Sequence, residues 1–319
     1  MDCKRINSPI DMLDWADTTF EITIGRDREA LGRSIAIAGL VHPPFVRQKS
    51  DGSLQMVSGF ARAAVCKEQG CSTIPVHILP GSMDMAACAC LAVAENSGQR
   101  ALNTMEQARA VALFERFIAP EELESFLPLV FGRPVPAGFA KKIAALVNLP
   151  QSLHLPLALG RISLPVAQRL CRMPQKQAQA IGGLLAALPL SVSKQKEIVD
   201  HLEETAAGED KSVDEILEEP GLKEILQGSR DDANVTARLV RQWLKMRRYP
   251  RLESAMKAFD QRLSGLGLPP SVSWQPPPFL ESSTHRLLLR FESREGLESL
   301  RDIISQILAH PALGELLDE

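Results

Sequence analysis

Short apolar runs alternate with short amphipathic stretches over the first 80 residues of the chain. The apolar runs predict strands at residues 20–24, 42–47, 54–57 and 74–79. The amphipathic stretches predict helices at residues 27–37 and 59–69, and the second of these begins at a glycine. Strands interleaved with helices predict a small α/β or α+β domain at the start of the chain.

From residue 83 onward the spacing of the apolar residues is helical. Residues 83–119 predict helix with a break at Ser97-Gly98, and residues 121–196 predict several short helices separated by proline and glycine. Short helices with tight breaks are typical of helix-turn-helix DNA readers. We therefore expect an all-α second domain.

One of these short helices, within residues 136–150, has two distinct faces. Phe139, Ile143 and Leu146 recur at helical spacing and predict a buried face. Lys141 and Lys142 then lie on the opposite, exposed face. Two lysines on a rigid helix suit contacts to the phosphates or groove edges of DNA.

The end of the chain returns to a mixed pattern. Amphipathic spacing predicts a helix that ends at about residue 266, followed by strands at residues 272–274 and 286–291. Ser293 is placed to cap a last helix. A unit this small offers more apolar surface than it can bury alone, which predicts a dimerisation module.

The chain has 319 residues, 45% hydrophobic and 24% charged, and so exceeds one typical domain of roughly 100–200 residues. This length predicts a multidomain protein, and the elements predicted above make it mostly α with α+β parts. The longest nearly apolar run, residues 85–94, is about half of what a bilayer requires, and the first residues contain acids but no apolar segment. We expect a cytoplasmic protein with no membrane span. The six cysteines and six histidines lack metal-ligand spacing, so structural roles are expected for them.

The net charge of −3 conceals a segregation of charge along the chain. No acidic residue lies between Glu124 and Glu197, although basic residues are frequent there. Residues 197–232 then contain thirteen acids, and residues 238–262 are basic again. A basic module inside a mildly acidic protein indicates a protein that binds phosphates, and a solubilising basic face is the alternative. The acidic residues 203–234 predict a linker with short helices at residues 213–218 and 222–227.

Four stretches occur in order near the start of the chain: GLVHPPFV (39–46), DGSLQMVSGFARAAVCKEQG (51–70), IPVHIL (74–79) and AENSGQRALNTMEQARA (94–110). They resemble the N-terminal domain of ParB-type chromosome and plasmid partition proteins. Residues 148–170 are similar to the helix-turn-helix domain of that family, and residues 251–308 resemble its C-terminal homodimerisation domain.

The resemblance implies three domains and a connecting segment. Residues 1–117 would form a small ParB/sulfiredoxin-like α/β domain of nucleotide-binding type, and residues 118–200 an all-α helix-turn-helix domain that binds DNA. Residues 201–235 would form an acidic linker, and residues 236–319 a small α+β dimerisation domain.

The same resemblance implies a clamp on double-stranded DNA that uses CTP and Mg²⁺. The positions that match the nucleotide site of the family are Gly39, Val41, His42, Gly59, Arg62, Glu95, Asn96 and Arg100. Glu95 and Asn96 are also the implied metal ligands, because carboxylate and amide oxygens suit Mg²⁺ beside phosphates. A glycine before a helix lets the backbone approach an anion, and an arginine supplies forked donors. The residues expected to contact DNA are Arg133, Lys141, Lys142, Arg161, Ser163, Arg169 and Arg172.

The chain also departs from the patterns of the family. Phe60 and Ala61 replace a glutamate and an arginine, and Gln99 stands where the family has an arginine, with Arg100 one place later. In the DNA reader, residues 136–138 replace a Ser-Arg-Ser sequence. Losing arginine contacts to guanine argues against the standard partition site, whereas contacts to phosphates would remain.

The sequence therefore predicts a ParB-like, nucleoid-associated DNA-binding protein of chromosome or plasmid partition or related regulation. Its expected partners are double-stranded DNA, a second copy bound through the C-terminal domain, and a ParA-type ATPase. Two alternatives remain open: a DNA-binding transcriptional regulator that has lost CTP, and a ParB-superfamily nuclease working near Arg62 and Glu95. Weak hydrolysis of CTP is left open, and no catalytic residue is assigned.

Overall fold

The computed structural model describes residues 3–228, 232–277 and 284–317. Its strands are β1 (Lys4–Pro9), β2 (Phe45–Gln48), β3 (Leu54–Met56), β4 (Thr73–Ile78), β5 (Val272–Gln275) and β6 (Arg286–Leu289). The helices of the first half are α1 (Arg28–Ala38), α2 (Phe60–Glu68), α3 (Met85–Ser97), α4 (Thr104–Phe117), α5 (Leu123–Phe131), α6 (Ala137–Ala144) and α7 (Gln151–Ala158). Those of the second half are α8 (Leu164–Leu170), α9 (Gln175–Ala187), α10 (Val192–Glu209), α11 (Val213–Leu217), α12 (Pro220–Gly228), α13 (Ala233–Arg248), α14 (Pro250–Gly265), α15 (Arg294–Ala309) and α16 (Ala312–Leu317). The described chain is mostly helical with a small sheet, as the sequence predicts. None of the described helices has the length and apolar character needed to cross a membrane.

A four-stranded mixed sheet with the order β1-β4-β2-β3 organises the N-terminal part. Strand β4 runs antiparallel to β1 and parallel to β2, and β2 and β3 form an antiparallel pair. Three of the predicted strands are confirmed. The strand predicted at residues 20–24 is wrong, because this segment runs as irregular chain that buries Phe20 and Ile22 without joining the sheet. Strand β1 was not predicted, since its partner β4 lies some 70 residues away.

The first hydrophobic core lies between the sheet and helices α2, α3 and α4. It continues without a break into α5 and α6, through Leu127, Val130, Ala140 and Ala144. Helix α4 is shared between two cores, because Val111 and Phe114 face the first and Met105 and Ala108 face the second. The boundary predicted at residue 117 therefore lies inside continuous packing.

The second core is formed by helices α7 to α13 together with one face of α4. The short helices predicted at residues 213–218 and 222–227 are confirmed as α11 and α12, and they follow α10, which continues to Glu209. Val213, Ile216 and Leu222 are buried in the core, where they anchor these two short helices. Residues 229–231 of the predicted linker lie outside the described residues.

Helix α13 also belongs to the second core, although the sequence places it at the start of the dimerisation domain. Ala237, Val240 and Leu244 are buried there. The change from a helical core to a separate tail therefore comes after α13. Whether the predicted ranges act as separate functional units remains a prediction.

The tail, residues 250–317, consists of α14, the β5–β6 pair, α15 and α16. Ser293 caps α15 by accepting a hydrogen bond from the Gly296 amide at 3.0 Å, as predicted. A half-buried strand would alternate exposed and buried side chains, but in β6 neighbouring Leu287 and Leu288 are both exposed. The core of the tail is small, and several large apolar side chains lie at its surface: Leu287, Leu288, Phe291, Leu297 and Leu308.

Candidate functional site

The start of helix α2 is packed tightly against the loop that precedes β2. Gly59 is the N-terminal cap of α2 and has a φ of +82°. A Cβ at this position would lie 2.9 Å from the Cα of Pro44, so glycine is required by both conformation and space. The Arg62 guanidinium donates to the carbonyl oxygen of His42 at 2.6 Å and ties the loop to the helix.

A polar cluster joins α2 to the end of α3. The Arg62 guanidinium donates to the Glu95 carboxylate at 3.1 Å, and both side chains are largely buried. The next residue, Asn96, accepts a hydrogen bond from the Thr23 hydroxyl at 2.9 Å and donates to the Ala92 carbonyl at 2.8 Å. Four residues predicted from the sequence, Gly59, Arg62, Glu95 and Asn96, therefore lie close together.

This cluster lines a cavity of about 340 Å³, hereafter the first cavity. The N-terminus of α2 faces it through Gly59, Ala61 and Arg62. No side chain caps this helix end, so its amide N–H groups are available to an outside acceptor. A helix N-terminus carries partial positive charge, and an arginine beside it adds a forked donor. The arrangement is suited to binding an anion such as a phosphate.

Arg26 is a residue of this cavity that the sequence did not single out. It lies just before α1 and lines the first cavity together with Asp27, the cap of α1. Burial lowers the pKa of Arg26, and the positive charges of Arg100 and Arg62 lower it further, whereas Glu106 raises it. A bound anion would relieve the repulsion between these arginines. No motif marks Arg26, because the first cavity is completed by a segment that has no regular structure.

Four of the predicted nucleotide residues do not line the first cavity. Arg100 is paired with the buried carboxylate of Glu106 and donates to the Ala101 carbonyl at 2.8 Å, while Gln99 takes the place on the cavity wall. Gly39 and Val41 lie in the exposed loop after α1. His42 reaches the cluster only through its carbonyl oxygen, which accepts from Arg62.

Glu95 and Asn96 are the residues that would hold a metal ion. No group of three or more histidine, cysteine or acidic side chains suited to a metal occurs in the described parts of the chain. One carboxylate and one amide oxygen do fit a Mg²⁺ ion whose other ligands are substrate phosphates and water. The donor set therefore fits a metal that arrives with a nucleotide and does not fit a metal bound by protein alone.

The predicted DNA residues fall into two groups. Arg133, Lys141, Lys142, Arg161 and Arg172 are exposed. Ile143 and Leu146 are buried on the other side of the α6 region, so the predicted polarity of this helix is confirmed.

Ser163 and Arg169 form the second group and are turned towards α10. The Ser163 hydroxyl is buried, and its backbone amide donates to the Gln195 side chain at 2.9 Å. Arg169 donates to the Asp200 carboxylate at 2.5 Å and is also paired with Glu203. In this structure neither side chain is presented to an outside ligand.

No family model matches the chain, and no curated protein matches it. Among solved structures, the C-terminally truncated chromosome-partitioning protein ParB from Caulobacter crescentus is 22% identical, both in its complex with CTP-γ-S and in its complex with the centromeric parS site. The alignments cover 57% and 60% of this chain and 98% and 96% of those chains, with TM-scores of 0.27 and 0.32. A pNOB8-like ParB-N domain is 15% identical over 81% of this chain and 97% of its own, with a TM-score of 0.32. These TM-scores are too low to support a functional argument, so the function of this chain must be inferred from its own residues.

Proposed function

We propose that this chain is a ParB-like DNA-binding protein whose first cavity binds a nucleoside triphosphate, with CTP as the expected ligand. The observation that carries the proposal is the uncapped N-terminus of α2, which faces a cavity lined by Arg62, Arg26, Glu95 and Asn96. A volume of about 340 Å³ falls within the roughly 300–1,000 Å³ of small-molecule sites.

Binding of a triphosphate would act on the fold through Arg62. This side chain now donates to both Glu95 and the His42 carbonyl. A phosphate placed at the start of α2 competes with both acceptors for the guanidinium. Arg62 would then leave Glu95, whose carboxylate becomes free to share a Mg²⁺ ion with the phosphates. The loop at residues 39–44 loses one of its attachments in the same step, so binding is coupled to the position of that loop.

DNA binding is proposed for the exposed basic residues near α6. Lys141 and Lys142 lie on a short helix fixed by two cores, so their ammonium groups are held on a rigid base. Contacts to phosphates of this kind give affinity without sequence discrimination. The exposed leucines of the tail support a homodimer, and a role in partition with a ParA-type ATPase is part of the same proposal.

The nucleotide proposal is tested by isothermal titration of the full chain with CTP in the presence of Mg²⁺. We expect saturable binding in the wild type and a loss of at least about tenfold in affinity in Arg62→Ala, since charge-assisted contacts to phosphate are worth roughly 1.5–3 kcal/mol. Arg33→Ala is the matched control, because Arg33 is an exposed arginine of the neighbouring α1 that pairs with Glu29 and does not line the first cavity. Equal affinity in the wild type and Arg62→Ala would refute the proposed site.

A second candidate is a DNA-binding regulator that has lost CTP. It is favoured by the fact that Arg62 is already satisfied by Glu95 and by the His42 carbonyl. This candidate predicts no heat of binding with any nucleotide, together with salt-dependent retention of DNA. The same titration therefore separates the two candidates.

A further inference from the structure

Two further cavities, of about 490 and 480 Å³, lie where residues 15–28 pack against helices α2 and α4. Both are lined by Thr18, Glu21 and Arg109, so they form one continuous groove, hereafter the arginine groove. Arg28 also lines it and is paired with Glu68, which lies outside the groove, at 2.8 Å. The only carboxylate in the lining is that of Glu21, against four guanidinium groups: Arg26, Arg28, Arg109 and Arg116. The groove is therefore positively charged.

Three of these arginines have no carboxylate partner in the described parts of the chain. Arg109 donates to the Thr23 carbonyl at 3.4 Å, which is a long and weak hydrogen bond. Arg116 is exposed and lies 5.0 Å from the centre of the Phe117 ring, a contact that does not use its N–H donors. Arg26 forms no ion pair with any described residue. Most of the donors of these three side chains are therefore available to an outside anion.

The surface that the groove offers is chiefly polar. Thr18 and Gln151 are exposed and add a hydroxyl and an amide to the guanidinium groups. Met56 and Phe60 are almost fully buried beneath the groove, and among its large apolar side chains Leu155 alone is exposed. A protein partner would require an apolar centre at its interface. Guanidinium, hydroxyl and amide donors together are instead typical of contacts to the phosphates of DNA.

The arginine groove is long and ends near the lysines of α6. Arg109 and Arg116 are seven residues apart on α4, about 10.5 Å along the helix axis. This distance exceeds the size of one phosphate and is close to three nucleotides of one DNA strand, at about 3.4 Å each. Burial raises the pKa of Glu115, the neighbour of Arg116, and the positive charge of Lys141 opposes this rise. Lys141 therefore lies close to the Arg116 end of the groove.

We propose that the arginine groove binds successive phosphates of one strand of double-stranded DNA, as a continuation of the surface formed by Lys141 and Lys142. Arg109 and Arg116 would contact the phosphates, and the Thr18 hydroxyl would donate a further hydrogen bond. This inference rests on the DNA binding of the proposed function. It extends the contact surface from α6 into the N-terminal part of the chain.

Fluorescence anisotropy of a labelled DNA duplex with the full chain tests the arginine groove. Arg109→Ala combined with Arg116→Ala, hereafter the groove variant, should bind the duplex about tenfold more weakly than the wild type. The slope of log affinity against log salt concentration should fall by about 2, one for each lost phosphate contact. Arg5→Ala combined with Arg33→Ala is the matched control, because both arginines are exposed in the same part of the chain and line neither cavity. The control should keep most of the affinity and of the slope.

The lysines of α6 separate this inference from the proposed function. If Lys141→Ala with Lys142→Ala weakens the complex and the groove variant binds like its control, the groove is overturned while DNA binding at α6 stands. Failure of the wild type to bind the duplex overturns both. Labelled poly-L-glutamate is the second probe. If the groove variant loses as much affinity for it as for the duplex, the groove takes any polyanion and its assignment to DNA is overturned, whereas a smaller loss supports DNA.

Glu21→Gln keeps the inference testable if the groove variant fails to fold. Removal of the one carboxylate in the groove should raise the affinity for the duplex about twofold, since interactions between partly exposed charges are weak. Asp11→Asn is the control, because it removes the same charge at an exposed position outside the groove, and it should leave the affinity unchanged. A gain in affinity cannot result from misfolding. Equal affinities in these two variants would overturn the groove.

Discussion

Two groups of basic residues look alike in the sequence and differ in the structure. Lys141 and Lys142 on α6 are exposed, and no ion pair joins them to a carboxylate within the described residues. Arg241, Arg247 and Arg248 on α13 are all paired with glutamates from preceding helices and their connections. Lys141 and Lys142 are therefore available to an outside anion, whereas the three arginines of α13 form ion pairs within the protein.

This difference shows that the density of positive charge along a chain does not by itself identify a surface that binds phosphates. The acidic residues that precede α13 supply its partners: Glu197 for Arg241, Glu204 for Arg248, and Glu209 with Glu219 for Arg247. The glutamates of the acidic segment therefore neutralise the arginines of α13. A basic stretch indicates a phosphate-binding surface only where the fold brings no acids to it.

The largest effect is expected from Arg247→Ala. Arg247 is about four-fifths buried and binds the carboxylates of Glu209 and Glu219, which lie on either side of α11. Its removal leaves two partly buried carboxylates without their main partner, which should lower the free energy of unfolding by about 2 kcal/mol. Urea unfolding followed by circular dichroism measures the change. Arg238→Ala, an exposed arginine on the same helix, should stay within about 0.5 kcal/mol of the wild type.

Acid unfolding provides an independent test of the ion pair between Arg247 and Glu209. Arg247, with help from Lys211, lowers the pKa of Glu209 from 4.5 to about 2. A carboxylate with a lowered pKa stabilises the fold above its ordinary pKa, and that contribution is lost as the pH falls from 4.5 towards 2. This part of the acid-induced loss should shrink in Arg247→Ala. An unchanged pH profile in the variant would show that the pair contributes no stability.

The helices were predictable where their ends are marked by local chemistry. Asp27 accepts a hydrogen bond from the Ala30 amide and begins α1, and Ser293 does the same for α15. Gly59 marked the start of α2 and with it part of the site. These signals lie within a few residues of the structure that they specify.

The other elements and site residues depend on contacts between residues that are far apart in the sequence. Strand β1 forms because β4 lies beside it, and Phe20 and Ile22 are buried by packing and not by strand pairing. The sequence predicts helix α11 but not the burial of Val213 in the second core, because the apolar residues of this helix lie among acids. Arg26 joins the site through an irregular segment. No local pattern specifies any of these contacts.

An intermediate effect is expected from Lys141→Ala combined with Lys142→Ala. If these side chains contact phosphates, the double variant should bind any DNA duplex about tenfold more weakly. The slope of log affinity against log salt concentration should fall by about 2, one for each lost phosphate contact. Fluorescence anisotropy with a labelled duplex at several salt concentrations measures both quantities.

Lys194→Ala combined with Lys196→Ala is the charge-matched control. Both residues are exposed, and they lie in the same acid-free part of the sequence, on α10. The control should keep most of the affinity and of the salt slope. If both double variants lose the same amount, DNA responds to overall charge, and α6 is not a specific contact surface.

The smallest effect is expected from releasing Arg169 from its ion pairs, which asks to which of the two groups of basic residues it belongs. Arg169 is a predicted DNA residue that the structure pairs with Asp200 and Glu203 on α10. Replacing both acids, in Asp200→Asn with Glu203→Gln, should release Arg169 and raise DNA affinity by about threefold, since exposed pairs of this kind contribute less than about 1 kcal/mol.

The gain must come from Arg169 and not from the lost negative charge. Asp210→Asn with Glu224→Gln removes the same charge at exposed positions that make no contact with Arg169. The gain should exceed that of this control, and it should disappear when Arg169→Ala is added to the Asp200 and Glu203 replacements. If the gain persists without Arg169, then long-range repulsion by acids limits DNA binding. Arg169 would then belong with the structural arginines of α13, and the phosphate-binding surface would be confined to the exposed residues around α6.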